Sequence, residues 1–163
     1  MNIRRALEHE AEQLSAIATA AKGRWPYSAV QLEAWRPDLT VSSNLVATSP
    51  AYVAELDGRA VGFYTFGVRG GTWQLENLWV IPECMRQGVG RSLLSHALNL
   101  AADNCVESIA IDSDPYAEPF YVACGAKRVG LVAAPIEGDP ARERPQLLAC
   151  TRHRPLGKVL QWK

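Results

Sequence analysis

The chain has 163 residues, 48% of them apolar and 21% charged, enough for one full core beneath a charged surface and with little room for a second such unit. Seventeen Lys and Arg balance seventeen Asp and Glu, and this formal net charge of zero argues against a chain that coats nucleic acid or an anionic membrane. No apolar run approaches the roughly 18 residues that cross a bilayer, and residues 1–22 mix charge with small apolar side chains where a signal peptide would carry a solid apolar block. The expected compartment is the cytoplasm. Cys84, Cys105, Cys124 and Cys150 form no C-x-x-C pair, and His9, His96 and His153 sit in unrelated contexts, so neither a metal site nor a disulfide framework is expected.

In chain order, residues 4–22 place Leu7, Ala11, Leu14, Ala18 and Ala21 at steps of three and four, which predicts a helix ending at Gly23. A second short helix starts near Ser28 and stops before Pro37, whose predecessor is biased away from helical backbone. Residues 38–50 carry no clear period. From Ala51 the texture becomes β-rich: two runs flank Asp57-Gly58, the strongest local hairpin signal, and Gly70-Gly71 leads into a third strand closed by Pro82. A helix follows over 88–104 with Val89, Leu93, Ala97, Leu100 and Ala101 on one face. Then come a strand over 108–112, a helix over 117–124 capped by Gly125, a strand over 126–132 and a last strand over 146–151. A three-strand meander followed by strand, helix, strand, helix and strand predicts a single α+β domain over residues 1–163. Its central sheet is mixed, mostly antiparallel, and flanked by helices.

The chemistry concentrates in residues 78–94, where a strand ends at Pro82 and the short loop Glu83-Cys84-Met85-Arg86-Gln87 leads to Gly88-Val89-Gly90 at a helix start. Backbone can approach a ligand closely at Gly88 and Gly90, the first helical amides lack internal partners, and the helix dipole favours negative charge there. Arg86 and Arg91 flank this phosphate cradle with fixed positive charge. A dinucleotide fingerprint would need glycine where Leu93 stands, although Asp112 lies about as far downstream as a ribose-binding acid should. Its strand is also the third of a meander rather than the first of a parallel sheet. No Gly-Lys-Ser/Thr of a Walker loop is present.

The run resembles the central motif of the GNAT superfamily of N-acetyltransferases, L-x-V-x-P followed by Q/R-x-x-G-x-G/A and a Leu-Leu pair. Leu78, Val80, Pro82, Gly88, Gly90, Leu93 and Leu94 stand at matching positions, and Met85 departs where the family has Gln or Arg. A second element, N-x-x-A-x-x-F-Y, is matched by Asp114, Ala117, Phe120 and Tyr121, with Asp114 replacing Asn. The resemblance covers roughly residues 53–132. It implies that Arg86, Gln87, Gly88, Val89, Gly90 and Arg91 hold the pyrophosphate of acetyl-CoA, that backbone groups of Leu78, Trp79 and Val80 meet the pantetheine arm, and that Asp114 and Ala117 complete the cofactor site.

The same resemblance implies direct transfer of the acetyl group to an amine in a ternary complex, with acetyl-CoA as co-substrate. The Val80 amide would polarise the thioester carbonyl in the manner of an oxyanion hole, and Tyr121 would protonate the departing thiolate. Glu76, expected to share a strand face with Gln74, Leu78 and Val80, is the base candidate, against the alternative of a solvated glutamate paired with an arginine. Trp25 and Tyr27, with Trp35, read either as an aromatic acceptor pocket or as core. Trp73 and Trp79 are expected under helices, and His96 outside the chemistry. Arg152, His153, Arg154, Lys158 and Lys163 form a weak basic patch on a solvated terminus. Expected partners are a small-molecule or peptide amine, with neither nucleic acid nor membrane, and members of the superfamily are frequently homodimers. A non-catalytic acyl-CoA-binding sensor module is the alternative to an enzyme.

Overall fold

The computed structural model describes residues 1–151; the basic patch expected at the C-terminus lies outside them. The opening residues are not helical. Asn2–Arg5 form strand β1 and pair antiparallel with β2 (Ala51–Leu56), and the helix α1 is confined to Ala11–Lys22 after a 3-10 turn at Glu8–Glu10. Leu7, expected on the buried stripe, is 49% exposed. The charged run Asn2-Ile3-Arg4-Arg5 has no alternation of its own; pairing with β2 makes it a strand. Within α1 the stripe is otherwise as expected, with Leu14, Ile17, Ala18 and Ala21 buried.

The second helix is two. Ala29–Ala34 (α2) is capped by the Ser28 hydroxyl, which accepts from the Gln31 amide, and Arg36–Leu39 (α3) follows with Pro37 in its first turn. Proline fits there because an unbonded first-turn amide is not missed, so Pro37 opens a helix where a stop was expected. Ser43–Thr48 (α4), capped by Ser42, occupies the segment without a clear period.

Strand β3 (Arg59–Arg69) joins β2 through Asp57-Gly58, both with positive φ, and β4 (Thr72–Val80) follows the Gly70-Gly71 turn. After α5 (Val89–Asp103) come β5 (Ser108–Asp112), α6 (Glu118–Ala123), β6 (Lys127–Ala133) and β7 (Glu143–Cys150). Among the described residues one mixed sheet runs in the order β1-β2-β3-β4-β5-β7-β6, and its only parallel neighbours are β4 and β5. Leu93, Leu94, Ala97 and Ala101 of α5 bury one face against it, and α1 covers the other. His96 projects from α5 onto this sheet, its Nδ1 2.8 Å from the Tyr64 hydroxyl, and burial pulls its pKa down.

A bulge in β4 sets the geometry of the strand's second half. Thr65 pairs with Asn77 and Phe66 with Leu75, so Glu76 is the extra residue. Alternation therefore breaks at that point. Glu76 lies over Gly67, while Leu78 and Val80 turn to the α5 side with Tyr64 and Leu93. Glu76 thus does not share a face with Leu78 and Val80, as unbroken alternation required.

Candidate functional site

At the end of β4 the Ile81 amide donates to Val61, a 3-10 turn spans Pro82–Cys84, and the chain reaches α5 through Arg86 at φ +61° and Gly88 at φ +86°. Gln87 Nε2 donates to the Glu83 carbonyl at 2.7 Å and ties the loop to itself. The backbone amides of Arg86, Gln87, Gly88, Val89, Gly90 and Arg91 have no acceptor among the described residues. They form a continuous row of donors at the positive end of a helix, flanked by the exposed Arg86 and Arg91 side chains. Val89, 2% exposed, pins the first turn into the core.

The two glycines serve different ends. Gly88 is needed for its left-handed backbone, which a β-branched residue adopts only under strain. At Gly90 a Cβ would point at the Phe120 ring, 3.4 Å from Cε2, so its small size lets α6 close on α5. The ligand side is not where that Cβ would go. Gly88→Val is expected to scatter the amides and weaken the binding of a pyrophosphate-bearing ligand about 10- to 150-fold, the worth of one hydrogen bond to a charged group. Isothermal titration calorimetry checks this, and an unchanged Kd removes the cradle from the binding site.

Beside the cradle the sheet opens. β4 and β5 pair only at Gln74 with Ala110 and Leu75 with Ile111; beyond the bulge the two strands part. Because Ile81 donates to Val61, alternation along the antiparallel pair turns the Trp79 backbone to Phe63 and leaves the Leu78 and Val80 backbone groups aimed into the gap. Of these three residues, Leu78 and Val80 present free backbone groups to the gap and Trp79 turns its own to β3. The Trp79 side chain instead donates from Nε1 to Asn77 Oδ1 at 2.9 Å, and Asn77 Nδ2 donates to the Thr65 hydroxyl at 2.8 Å.

Tyr121 on α6 packs edge to face with Phe120, is 7% exposed, and has no hydrogen-bond partner for its hydroxyl among the described residues. Burial, with the nearby Cys124, raises its pKa well above the ordinary phenol value. Glu76 Oε1 accepts from Arg69 Nη2 at 3.2 Å, and Arg69 is largely exposed. Ala117, at the N-cap of α6, donates its amide to the Asp114 carbonyl at 3.0 Å.

Asp114 lies three residues beyond the last β4–β5 pair and collects partners from distant parts of the chain. Its carboxylate pairs with Lys22 Nζ at the end of α1, accepts from Tyr27 Oη at 2.9 Å and from the Tyr116 amide at 2.9 Å, and lies 3.4 Å from Arg142 Nη2. Burial pushes this carboxyl up, but Lys22 and the two hydrogen bonds outweigh that and hold it below the usual carboxylate range. Lys22 is pulled down by burial, an effect that Asp114 only partly offsets, and the Tyr27 phenol is pushed up to about 12, chiefly by burial.

Tyr27 and Trp35 meet edge to face at 4.7 Å, and Trp25 stacks on Tyr116 at 5.4 Å. Lys22 and Arg142 are the residues that sequence reading did not single out. Lys22 reads as an ordinary cation in a helix's last turn, and Arg142 lies in a polar stretch without any period. Beside this cluster a cleft of about 330 Å³ opens between the 26–31 segment, Pro115-Tyr116 and the 136–142 loop.

A mixed seven-stranded sheet, split between its parallel strands beside an unfilled row of helix amides, is the acyl-CoA N-acyltransferase fold. The chain belongs to the acetyltransferase (GNAT) family, whose model matches residues 7–126. Among solved structures it is similar to a GCN5-related N-acetyltransferase from Rhodopseudomonas palustris, with 22% identity over 91% of this chain and 94% of that one and a TM-score of 0.77. It is similar also to the PaiA N-acetyltransferase of Thermoplasma acidophilum in complex with coenzyme A, with 17% identity, 91% and 98% coverage and a TM-score of 0.74. The ribosomal-protein-S18-alanine N-acetyltransferase of Escherichia coli matches at 18% identity, 90% coverage of each chain and a TM-score of 0.65. No curated protein sequence matches the chain.

Proposed function

We propose that residues 1–163 are one N-acetyltransferase domain that moves the acetyl group of acetyl-CoA directly to an amine in a ternary complex. The observation that carries this reading is the row of unpartnered amides from Arg86 to Arg91 beside the gap between β4 and β5. Those donors and the two arginines suit a pyrophosphate. The gap suits an extended thiol-terminated arm that hydrogen-bonds like a strand to Leu78 and Val80. The Thermoplasma neighbour, crystallised with coenzyme A, supports the choice of ligand, and the E. coli neighbour, a ribosomal-protein-S18-alanine N-acetyltransferase, supports an amine as acceptor.

Within this reading the Val80 amide stabilises the negative charge that develops on the thioester oxygen when the amine attacks. The Tyr121 hydroxyl, with no partner to compete for it, protonates the sulfur as the carbon–sulfur bond breaks. Glu76 takes the proton that the amine must lose, directly or through water. The proposed transfer is direct, with no covalent acetyl-enzyme, since no histidine or other general base stands near Cys84 in the sequence to activate it as a nucleophile.

Calorimetry with acetyl-CoA, CoA and NAD tests the reading. Micromolar binding of acetyl-CoA and CoA is expected, together with amine-dependent release of free thiol. Binding of NAD in place of acetyl-CoA, or saturation by acetyl-CoA with no amine turned over, overturns it; the second outcome is that of a sensor module.

A further inference from the structure

The cleft beside Asp114 carries an unbalanced charge. Lys22, Arg142 and Asp114 are 10%, 7% and 8% exposed at their side chains, and the three together hold two cations against one anion. Arg142 is also short of acceptors. Its Nη1 donates to the Ala134 carbonyl at 3.0 Å, its Nη2 reaches Tyr27 Oη and Asp114 Oδ2 only at 3.4 Å, and its buried Nε has no partner among the described residues. A buried guanidinium usually fills its fork with carboxylate oxygens.

The aromatic rings are already taken by the protein's own cations. Lys22 Nζ lies 4.2 Å from the Trp35 ring centre and 4.8 Å from that of Tyr27, and the Arg142 guanidinium lies 5.3 and 5.6 Å from the same two. A substrate ammonium therefore finds neither of those π faces free. Glu137 and Asp139 on the opposite rim are exposed, and solvent and salt screen them far more than the buried trio.

We infer that this cleft selects an acceptor whose amine is accompanied by a carboxylate, an amino-acid-like molecule, and that Arg142 at the cleft wall pairs with that carboxylate. The inference rests on the acetyl-transfer reading above and names its substrate class. A volume of about 330 Å³ is at the small end for ligand sites, which suits such a molecule better than an extended protein segment. With the carboxylate seated against the part of Arg142 that lines the cleft, the cluster carries two cations and two anions.

The test compares free L-amino acids with their α-carboxamides, and with simple diamines, in a thiol-release assay on the full chain. For at least one side chain the free acid is expected to show kcat/KM at least about tenfold above its amide. Arg142→Gln is expected to bring that ratio to near one, with the Kd for acetyl-CoA unchanged. Arg142→Lys keeps the buried cation, provides a second variant where the glutamine protein does not fold, and retains part of the preference.

Equal or better turnover of amides or diamines, or no turnover of any free amino acid, overturns the inference, as does an unaltered preference in the variants. If acetyl-CoA itself does not bind, the acetyl-transfer reading has failed instead. The calorimetric arm tells the two failures apart.

Discussion

Tyr121→Phe lowers kcat by about 10²- to 10⁴-fold, the usual worth of a positioned proton donor, and leaves the Kd for acetyl-CoA within a factor of about two of its wild-type value. The hydroxyl is the only atom removed, and it makes no hydrogen bond among the described residues, so the fold loses little with it. The wild-type pH profile carries the same signature. Burial raises this phenol above its ordinary value near 10, so the proton stays on Tyr121 through about pH 10. The rate then rises as the acceptor amine deprotonates and reaches a plateau, without an alkaline fall from loss of the acid. A variant with kcat within threefold of wild type removes Tyr121 from the chemistry, and with it the assignment of the acid.

Asp114→Ala costs about 3–5 kcal/mol of folding stability, because it leaves the Lys22 ammonium and the Arg142 guanidinium buried without their anion. The substitution also frees the Tyr27 hydroxyl and the Tyr116 amide. Urea unfolding monitored by tryptophan fluorescence measures this as a lower midpoint at an unchanged slope.

The pH dependence comes from the sign of the Asp114 shift. A carboxyl held below its unfolded value contributes stability that is fully present above that value, about 3.9, and is lost as pH falls through the folded pKa. The stability gap between wild type and Asp114→Ala therefore narrows below about pH 4. A gap under 1 kcal/mol at neutral pH, or one that widens in acid, contradicts the proposed role of this carboxylate.

Asp114 illustrates what a motif position can hide. By resemblance it belongs to the cofactor side, in the place of an asparagine. In the fold its side chain is taken up by Lys22 of α1, by Tyr27 and by Arg142, so it braces the wall of the neighbouring cleft. The charge that replaces the amide pairs with a buried lysine and a buried arginine beside the cleft.

What could be read from the sequence alone was whatever neighbouring residues decide among themselves. The Asp57-Gly58 hairpin depends on a turn two residues long, the strand at 108–112 on its own short apolar alternation, and the row of free amides at Gly88 on a helix start that has no preceding turn to bond. Gly88 and Gly90 contribute amides set by local conformation, whereas the backbone groups of Leu78 and Val80 are left free by the pairing of β4 with β3 and its parting from β5.

Only the tertiary structure decided the rest. Asn2–Arg5 became a strand by pairing with a partner some fifty residues away, and Glu76 changed its neighbours because a bulge interrupts the two-residue period. Lys22 and Asp114 are 92 positions apart, and Asp114 and Arg142 are 28 apart. Side chains so separated leave no periodic trace, since nothing in a local pattern records which distant charge will neutralise a buried one.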